Sequence, residues 1–109
     1  MSDTQNNNAM RIRAQLNGDK ATLRVLIPHE METGQRKDGS GALVPSWFIN
    51  EVRISWKGRE LLNAEWGPSV SKNPFIQIVI RGAKAGDKVT VAWVDNRGNR
   101  RSEDALIGA

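Results

Sequence analysis

The sequence predicts an all-β fold, an immunoglobulin-like β-sandwich of about seven strands with no disulfide. Three observations support it: short segments in which apolar and polar residues alternate, turn-forming residues between them, and no segment with a convincing helical period. The 109 residues include no cysteine, so the intersheet disulfide of antibody domains is absent. This length fits one domain. We assign residues 10–109 to that domain and residues 1–9 to a disordered polar tail.

The first two strands are predicted to pair as a hairpin. In residues 10–16 apolar side chains alternate with arginine and glutamine, which is the period of a half-buried strand. Asn17 and Gly18 accept positive φ, and a second alternating segment follows over 21–27. Pro28 ends that segment.

Residues 29–46 form a long loop with no sustained period and with three glycines and one proline. Loops of this length in compact domains are more often functional than idle, so this one is a candidate binding surface. Plain disorder at its tip, residues 37–41, is the alternative.

Five further strands are predicted after this loop. The third spans 48–56, with an interruption at Asn50, and a tight turn at Lys57 and Gly58 leads to a fourth over 62–66. Residues 67–74 (GPSVSKNP) contain two prolines and cannot be regular structure. The sixth strand covers 89–93, and a weaker seventh covers 101–107.

The fifth strand, residues 75–81, is apolar on nearly both faces. Such strands are usually buried on two sides. We therefore expect it to be central in its sheet or covered by a partner protein.

Catalytic chemistry has little support in the sequence. His29 is the one histidine, and nothing places a nucleophile beside it, so we expect a loop histidine that is solvated or bonded to the backbone. Its neighbours offer mismatched donors in a row, which argues against a metal site. Three acidic residues that could pair for acid–base chemistry are expected to face outward or lie in turns, namely Glu51, Glu65 and Asp95. The sequence therefore predicts a binding protein that is not an enzyme and has no cofactor.

The tryptophans divide into two groups. Trp56, Trp66 and Trp93 fall on the same faces as core aliphatic residues, so they are expected in the core. Trp47 opens a strand on the polar side, and both partner contact and core placement stay open for it.

Charge and hydropathy restrict the partners. The net charge of +4 comes from scattered basic residues. No apolar run reaches the ~20 residues that span a bilayer, so no membrane contact is expected. The polar N-terminus has no secretory signal pattern, which by itself favours the cytoplasm. A small basic nucleic-acid binder remains a weaker alternative.

Several segments together resemble the SoxZ family of bacterial thiosulfate oxidation. They occur in order across almost the whole domain: HEMETG (29–34), QRKD (35–38), LVPSWFI (43–49), WGPSVSKNP (66–74) and AGDKVTVAWVDNRG (85–98). Each segment alone is weak, and their order and spacing are specific. Glu30 departs from the proline found in many family members, which affects the entry of that loop.

The resemblance implies an immunoglobulin-like scaffold that pairs with SoxY, whose C-terminal arm carries sulfur intermediates on a cysteine. It also implies transient docking to other Sox enzymes and a periplasmic location reached by co-export with SoxY. An unrelated immunoglobulin-like interaction module is the alternative, and no nucleic-acid partner is expected. The residues predicted to contact partners are His29, Met31, Glu32, Trp47, Lys72, Asn73, Phe75, Ile76 and Val79.

Overall fold

The computed structural model describes residues 9–109, which contain seven strands and no helix. In chain order the strands are β1 (Arg11–Asn17), β2 (Lys20–Leu26), β3 (Ile49–Trp56), β4 (Arg59–Glu65), β5 (Phe75–Arg81), β6 (Lys88–Asp95) and β7 (Arg100–Leu106). Every predicted strand is present. Apart from residue 9, the predicted disordered tail lies outside the described residues. These residues include no helix of the length and apolarity needed to cross a membrane.

Two antiparallel sheets form the sandwich. One has three strands in the order β1-β2-β5, and the other has four in the order β4-β3-β6-β7. The chain therefore crosses between sheets after β2, after β4 and after β5. This arrangement confirms the predicted immunoglobulin-like sandwich.

The core lies between the sheets and follows the alternation in the sequence. Trp93 is buried, and Trp56 and Trp66 pack against the core from its margins, as predicted. The largest fully buried side chains are Leu23, Ile27, Ile49, Ile54, Ile107, Val25, Val52, Val89 and Val91.

The connections after β2, β4 and β6 meet at one end of the sandwich. We call this the loop end and define it as residues 27–48, 66–74 and 96–99. The N–H of Asn96 donates to the carbonyl of Phe48 at 3.0 Å, and that of Asn73 donates to the carbonyl of His29 at 2.9 Å. These bonds hold the three connections together.

The tip of the long loop is a hydrogen-bonded turn, so the alternative of disorder there is wrong. The carboxylate of Asp38 accepts the N–H groups of Ser40 and Ala42 at 2.9 and 3.1 Å. Lys37 and Leu43 form an isolated antiparallel bridge beside it. An aspartate that binds the backbone two residues ahead is a common way to fix a turn.

Among the described strands, β5 lies at the edge of its sheet and pairs only with β2. Of the two predicted alternatives, the central position is therefore wrong, and cover by a partner protein stays a prediction. Its apolar composition misled because two of the four residues that face solvent, Phe75 and Val79, are apolar, where an edge strand usually exposes polar residues.

Leu23 provides a test of this core. It is fully buried in β2, so Leu23→Ala should lower the free energy of unfolding by about 3 kcal/mol through lost burial and a residual cavity. Denaturant titration measures it. Leu106→Ala, at a residue 66% exposed on β7, is the control and should change the stability by less than about 0.5 kcal/mol. Equal losses would contradict this placement of the core.

Candidate partner-binding surface

The outward face of β5 exposes apolar side chains. Phe75 is 57% exposed and Val79 is 55% exposed, and Gln77 lies between them on the same face. Ile76 points inward and packs partly buried against the core. Two of the three predicted contacts on this strand are therefore displayed to solvent, and the third supports the strand from beneath.

Within residues 9–109, the backbone of β5 is also unpaired along one side. The N–H of Ile27 donates to the carbonyl of Pro74 at 3.0 Å, which marks these two residues as a hydrogen-bonded pair between β2 and the start of β5. In an antiparallel ladder such pairs alternate, so the backbone groups of Ile76 point toward β2. Those of Phe75, Gln77 and Val79 point to the free edge.

This edge lacks the charges that protect the other three. Within the described residues β1, β4 and β7 each carry at least two charged residues, whereas β5 has a single charge at its last position, Arg81. Edge strands usually carry charges, prolines or bulges that prevent pairing with another chain. Moreover, β1 is bonded by the C-terminal segment, since the N–H of Gly108 donates to the carbonyl of Ala14 at 2.8 Å. β5 is thus the edge best suited to accept another protein.

Asn73 connects the start of β5 to the loop end. Its side-chain oxygen accepts the N–H of His29 at 3.0 Å, while its own N–H donates to the carbonyl of His29. The backbone of Asn73 has φ 53°, a left-handed conformation that asparagine tolerates better than most residues. Lys72 lies beside it and pairs with Glu30 at 3.4 Å. The long loop and the 67–74 connection are therefore adjacent in space.

A buried carboxylate organises the loop end. Asp95 is 2% exposed, and its Oδ2 atom accepts from His29 Nε2 at 3.1 Å, Trp47 Nε1 at 2.8 Å and Asn99 Nδ2 at 3.0 Å. Its Oδ1 accepts the N–H groups of Arg97 and Asn99. The expectation that Asp95 faces outward is wrong, because this residue continues the inward face of β6 and finds five donors there.

The ring of His29 is fully engaged. Its Nδ1 accepts the N–H of Met31 at 3.1 Å, so Nε2 carries the proton that is donated to Asp95. The ring lies edge-on to both Trp47 and Trp93, with centroids 5.1 and 5.4 Å away. The predicted backbone bond is present, but the residue is 7% exposed and not solvated. Neither ring nitrogen is free for acid–base chemistry in this arrangement.

The other predicted contact residues of the long loop have different exposures. Met31 is 5% exposed and supports the loop from inside. Glu32 and Trp47 exchange two backbone hydrogen bonds, and Glu32 also binds Arg36, whose side-chain hydrogen bonds lower the pKa of that carboxyl. Trp47 is half-buried, with the guanidinium of Arg97 4.2 Å from its ring centroid. Arg97 and Trp47 are the outer layer over the buried His29–Asp95 pair.

Residues 9–109 contain no group of three or more His, Cys, Asp or Glu side chains that could hold a metal ion. Glu51 and Glu65 do lie opposite each other on β3 and β4, but Asp95 is held separately in the core. The three carboxylates that were candidates for acid–base chemistry therefore do not form one site.

The fold and this surface define the chain as an immunoglobulin-like β-sandwich with one unprotected apolar edge. The family model of the sulphur oxidation protein SoxZ matches residues 10–105. The chain belongs to the SoxZ family, and it is therefore a sulfur-oxidation (Sox) protein. A search of curated proteins found no match.

Solved structures with similar folds are distant in sequence. The hypothetical protein PH1083 from Pyrococcus horikoshii OT3 is 14% identical, with a TM-score of 0.63 over 90% of this chain and 86% of its own. A superoxide reductase (neelaredoxin) from Ignicoccus hospitalis is 11% identical, with a TM-score of 0.61 over 93% of this chain and 79% of its own. At such identity the likeness shows the fold alone.

The buried carboxylate predicts a pH dependence of stability. Burial raises the pKa of Asp95, but hydrogen bonds from Asn99, His29 and Trp47 outweigh burial and leave that pKa below its ordinary value of 3.8. A folded-state pKa below the unfolded one contributes stability that is complete above about pH 3.8 and is lost as the pH falls through the folded-state value. Asp95→Asn removes that contribution.

We expect Asp95→Asn to lower the free energy of unfolding by roughly 3 kcal/mol at about pH 5, since it breaks a buried network around a charge. The difference from the native chain should shrink at about pH 2.5. Urea titrations at both pH values measure it. A difference that widens in acid would contradict the lowered pKa.

Proposed function

We propose that this chain is the non-catalytic scaffold subunit of the SoxYZ carrier and binds SoxY through the outward face and free edge of β5. In this role it helps present the cysteine-bearing arm of SoxY, with its covalently bound sulfur intermediates, to the other Sox enzymes. The observation that carries the proposal is the edge strand β5, which has a single charge at its last position and exposes Phe75 and Val79. Family membership supports the choice of partner.

The surface has the composition of an interface core. Fully burying a phenylalanine or valine side chain contributes about 1.5–3 kcal/mol, and each of these two has roughly half of that gain still available. The backbone groups of Phe75, Gln77 and Val79 can add main-chain hydrogen bonds to a partner strand, which is a common mode of peptide recognition. Both contributions arise on the same strand, so one partner can use them together.

In this proposal, the covalent binding of sulfur takes place on SoxY and not on this chain. This chain has no cysteine to hold sulfur covalently. Its one histidine has both ring nitrogens in buried hydrogen bonds. These features support a scaffold role.

The loop end is proposed to face the enzymes that act on the carrier arm. Asn73 joins this end directly to the start of β5, so a partner seated on β5 lies next to it. Arg97, Lys72 and the tip of the long loop supply its exposed side chains. We further propose that the pair works in the periplasm after co-export with SoxY, which cell fractionation with and without SoxY would test.

Val79→Asp tests the SoxY contact. An aspartate on the outward face leaves the core unchanged, so the variant should fold normally while its dissociation constant for SoxY rises at least about 30-fold, equivalent to ~2 kcal/mol. Isothermal titration with purified SoxY measures the affinity. Thermal unfolding of the variant alone checks the fold.

Leu106→Asp is the matched control, because Leu106 is an equally exposed aliphatic residue on an edge strand of the other sheet. It should leave the affinity for SoxY unchanged. If Leu106→Asp weakens binding and Val79→Asp does not, SoxY docks on the four-stranded sheet and the proposed surface is wrong.

A further inference from the structure

The outward face of the three-stranded sheet carries an uneven distribution of charge. Twelve residues of β1, β2 and β5 alternate onto this side. None of them is acidic, and five are basic. We call these five the cationic face: Arg11, Arg13, Lys20, Arg24 and Arg81.

This face accounts for the whole net charge of the chain. The sequence has 16 basic and 12 acidic residues, and without the cationic face 11 basic residues remain against 12 acidic ones. The rest of the chain therefore has a net charge of −1. The basic residues look scattered along the sequence, but the fold gathers five of them on one side.

The positions of these cations place like charges opposite each other. In the β1–β2 register Arg13 lies opposite Arg24, and in the β2–β5 register Lys20 lies opposite Arg81. Like charges directly across a strand pair are destabilising. The ion pairs found within the described residues join other basic groups to carboxylates, and the cationic face has no carboxylate partner there. Residues 9–109 by themselves leave this repulsion uncompensated.

We infer that the cationic face binds an acidic protein surface. The inference rests on the proposed function, because the cationic face continues into the β5 contact: Arg24 lies opposite Gln77, between Phe75 and Val79, and Lys20 lies opposite Arg81. The partner is then SoxY, and the part of SoxY that lies over β1 and β2 is rich in aspartate and glutamate. Its carboxylates relieve the repulsion within both like-charge pairs.

A protein fits this face better than a nucleic acid does. Single-stranded nucleic acids bind grooves in which several aromatic side chains stack on successive bases. Here Phe75 is the single aromatic residue among the twelve outward positions. Arg24 lies opposite Gln77, between Phe75 and Val79, and Arg81 follows Val79 on the same face. An apolar strip bordered by arginines is typical of a protein interface.

Arg13→Glu tests the inference without harming the fold. The new glutamate lies opposite Arg24, so a repulsive pair becomes an attractive one and the melting temperature should stay constant or rise. Binding to SoxY should nevertheless weaken, about 5- to 10-fold at ~50 mM salt, because the glutamate meets acidic groups. The difference from the native chain should largely vanish at ~0.5 M salt, where exposed charges are screened.

Arg100→Glu makes the same change in net charge on β7, in the other sheet, where Arg100 is exposed. It should leave the affinity nearly unchanged. Equal weakening by both variants, or an affinity of the native chain that does not change with salt, overturns the cationic face as a docking surface. Either result leaves the proposed function standing if Val79→Asp still weakens binding as predicted. Loss of the Val79→Asp effect alone would instead refute the β5 contact.

Two other polyanions serve as competing probes at ~150 mM salt. These are a single-stranded DNA of about 20 nucleotides and vesicles that contain phosphatidylserine. Weak binding of both, lost at this salt concentration, supports a protein partner. Binding of either one more tightly than SoxY overturns the inference.

Discussion

The position of β5 at the edge of a three-stranded sheet is the constraint on which the surface chemistry of this protein depends. An apolar strand in a sheet centre needs no partner outside the chain, but at an edge it exposes side chains and backbone groups together. Phe75 and Val79 are exposed on the face, and their N–H and carbonyl groups point to the free side. Such an edge favours association, and without a specific partner it is a risk for aggregation. In the proposed function, SoxY covers this edge and removes that risk.

The second determinant is the Asp95 carboxylate, which fixes the loop end relative to the sheets. Five donors converge on it. Three come from the connection between β6 and β7, and the other two are the indole N–H of Trp47 and the imidazole N–H of His29. Because His29 is bonded to Asn73 as well, the same network reaches the start of β5. The loops beside β5 are therefore held in place by buried hydrogen bonds, and they need little ordering when a partner binds.

Alternation in the sequence predicted the sandwich, all seven strands and the core tryptophans, since burial on one face imposes a period of two. It also contained a signal that was missed: Asp95 follows Val89, Val91 and Trp93 at the same spacing, which places it inward. Strand order was not accessible in this way, because the composition of Phe75–Arg81 is equally compatible with a central strand and a covered edge. The cationic face was missed for a related reason. Arg13 and Arg24 are eleven positions apart in the sequence, and only the β1–β2 register makes them neighbours.

Hydrogen exchange of the β5 amides shows directly whether SoxY binds the free edge of this strand. The amides of Gln77 and Val79 point to the free edge, so in the isolated chain they should exchange far faster than that of Ile78, which is bonded to β2. On addition of SoxY, the amides of Gln77 and Val79 should become strongly protected, with no change at the outer edges of β4 and β7. Protection at β4 or β7 with β5 unaffected would contradict this mode of binding.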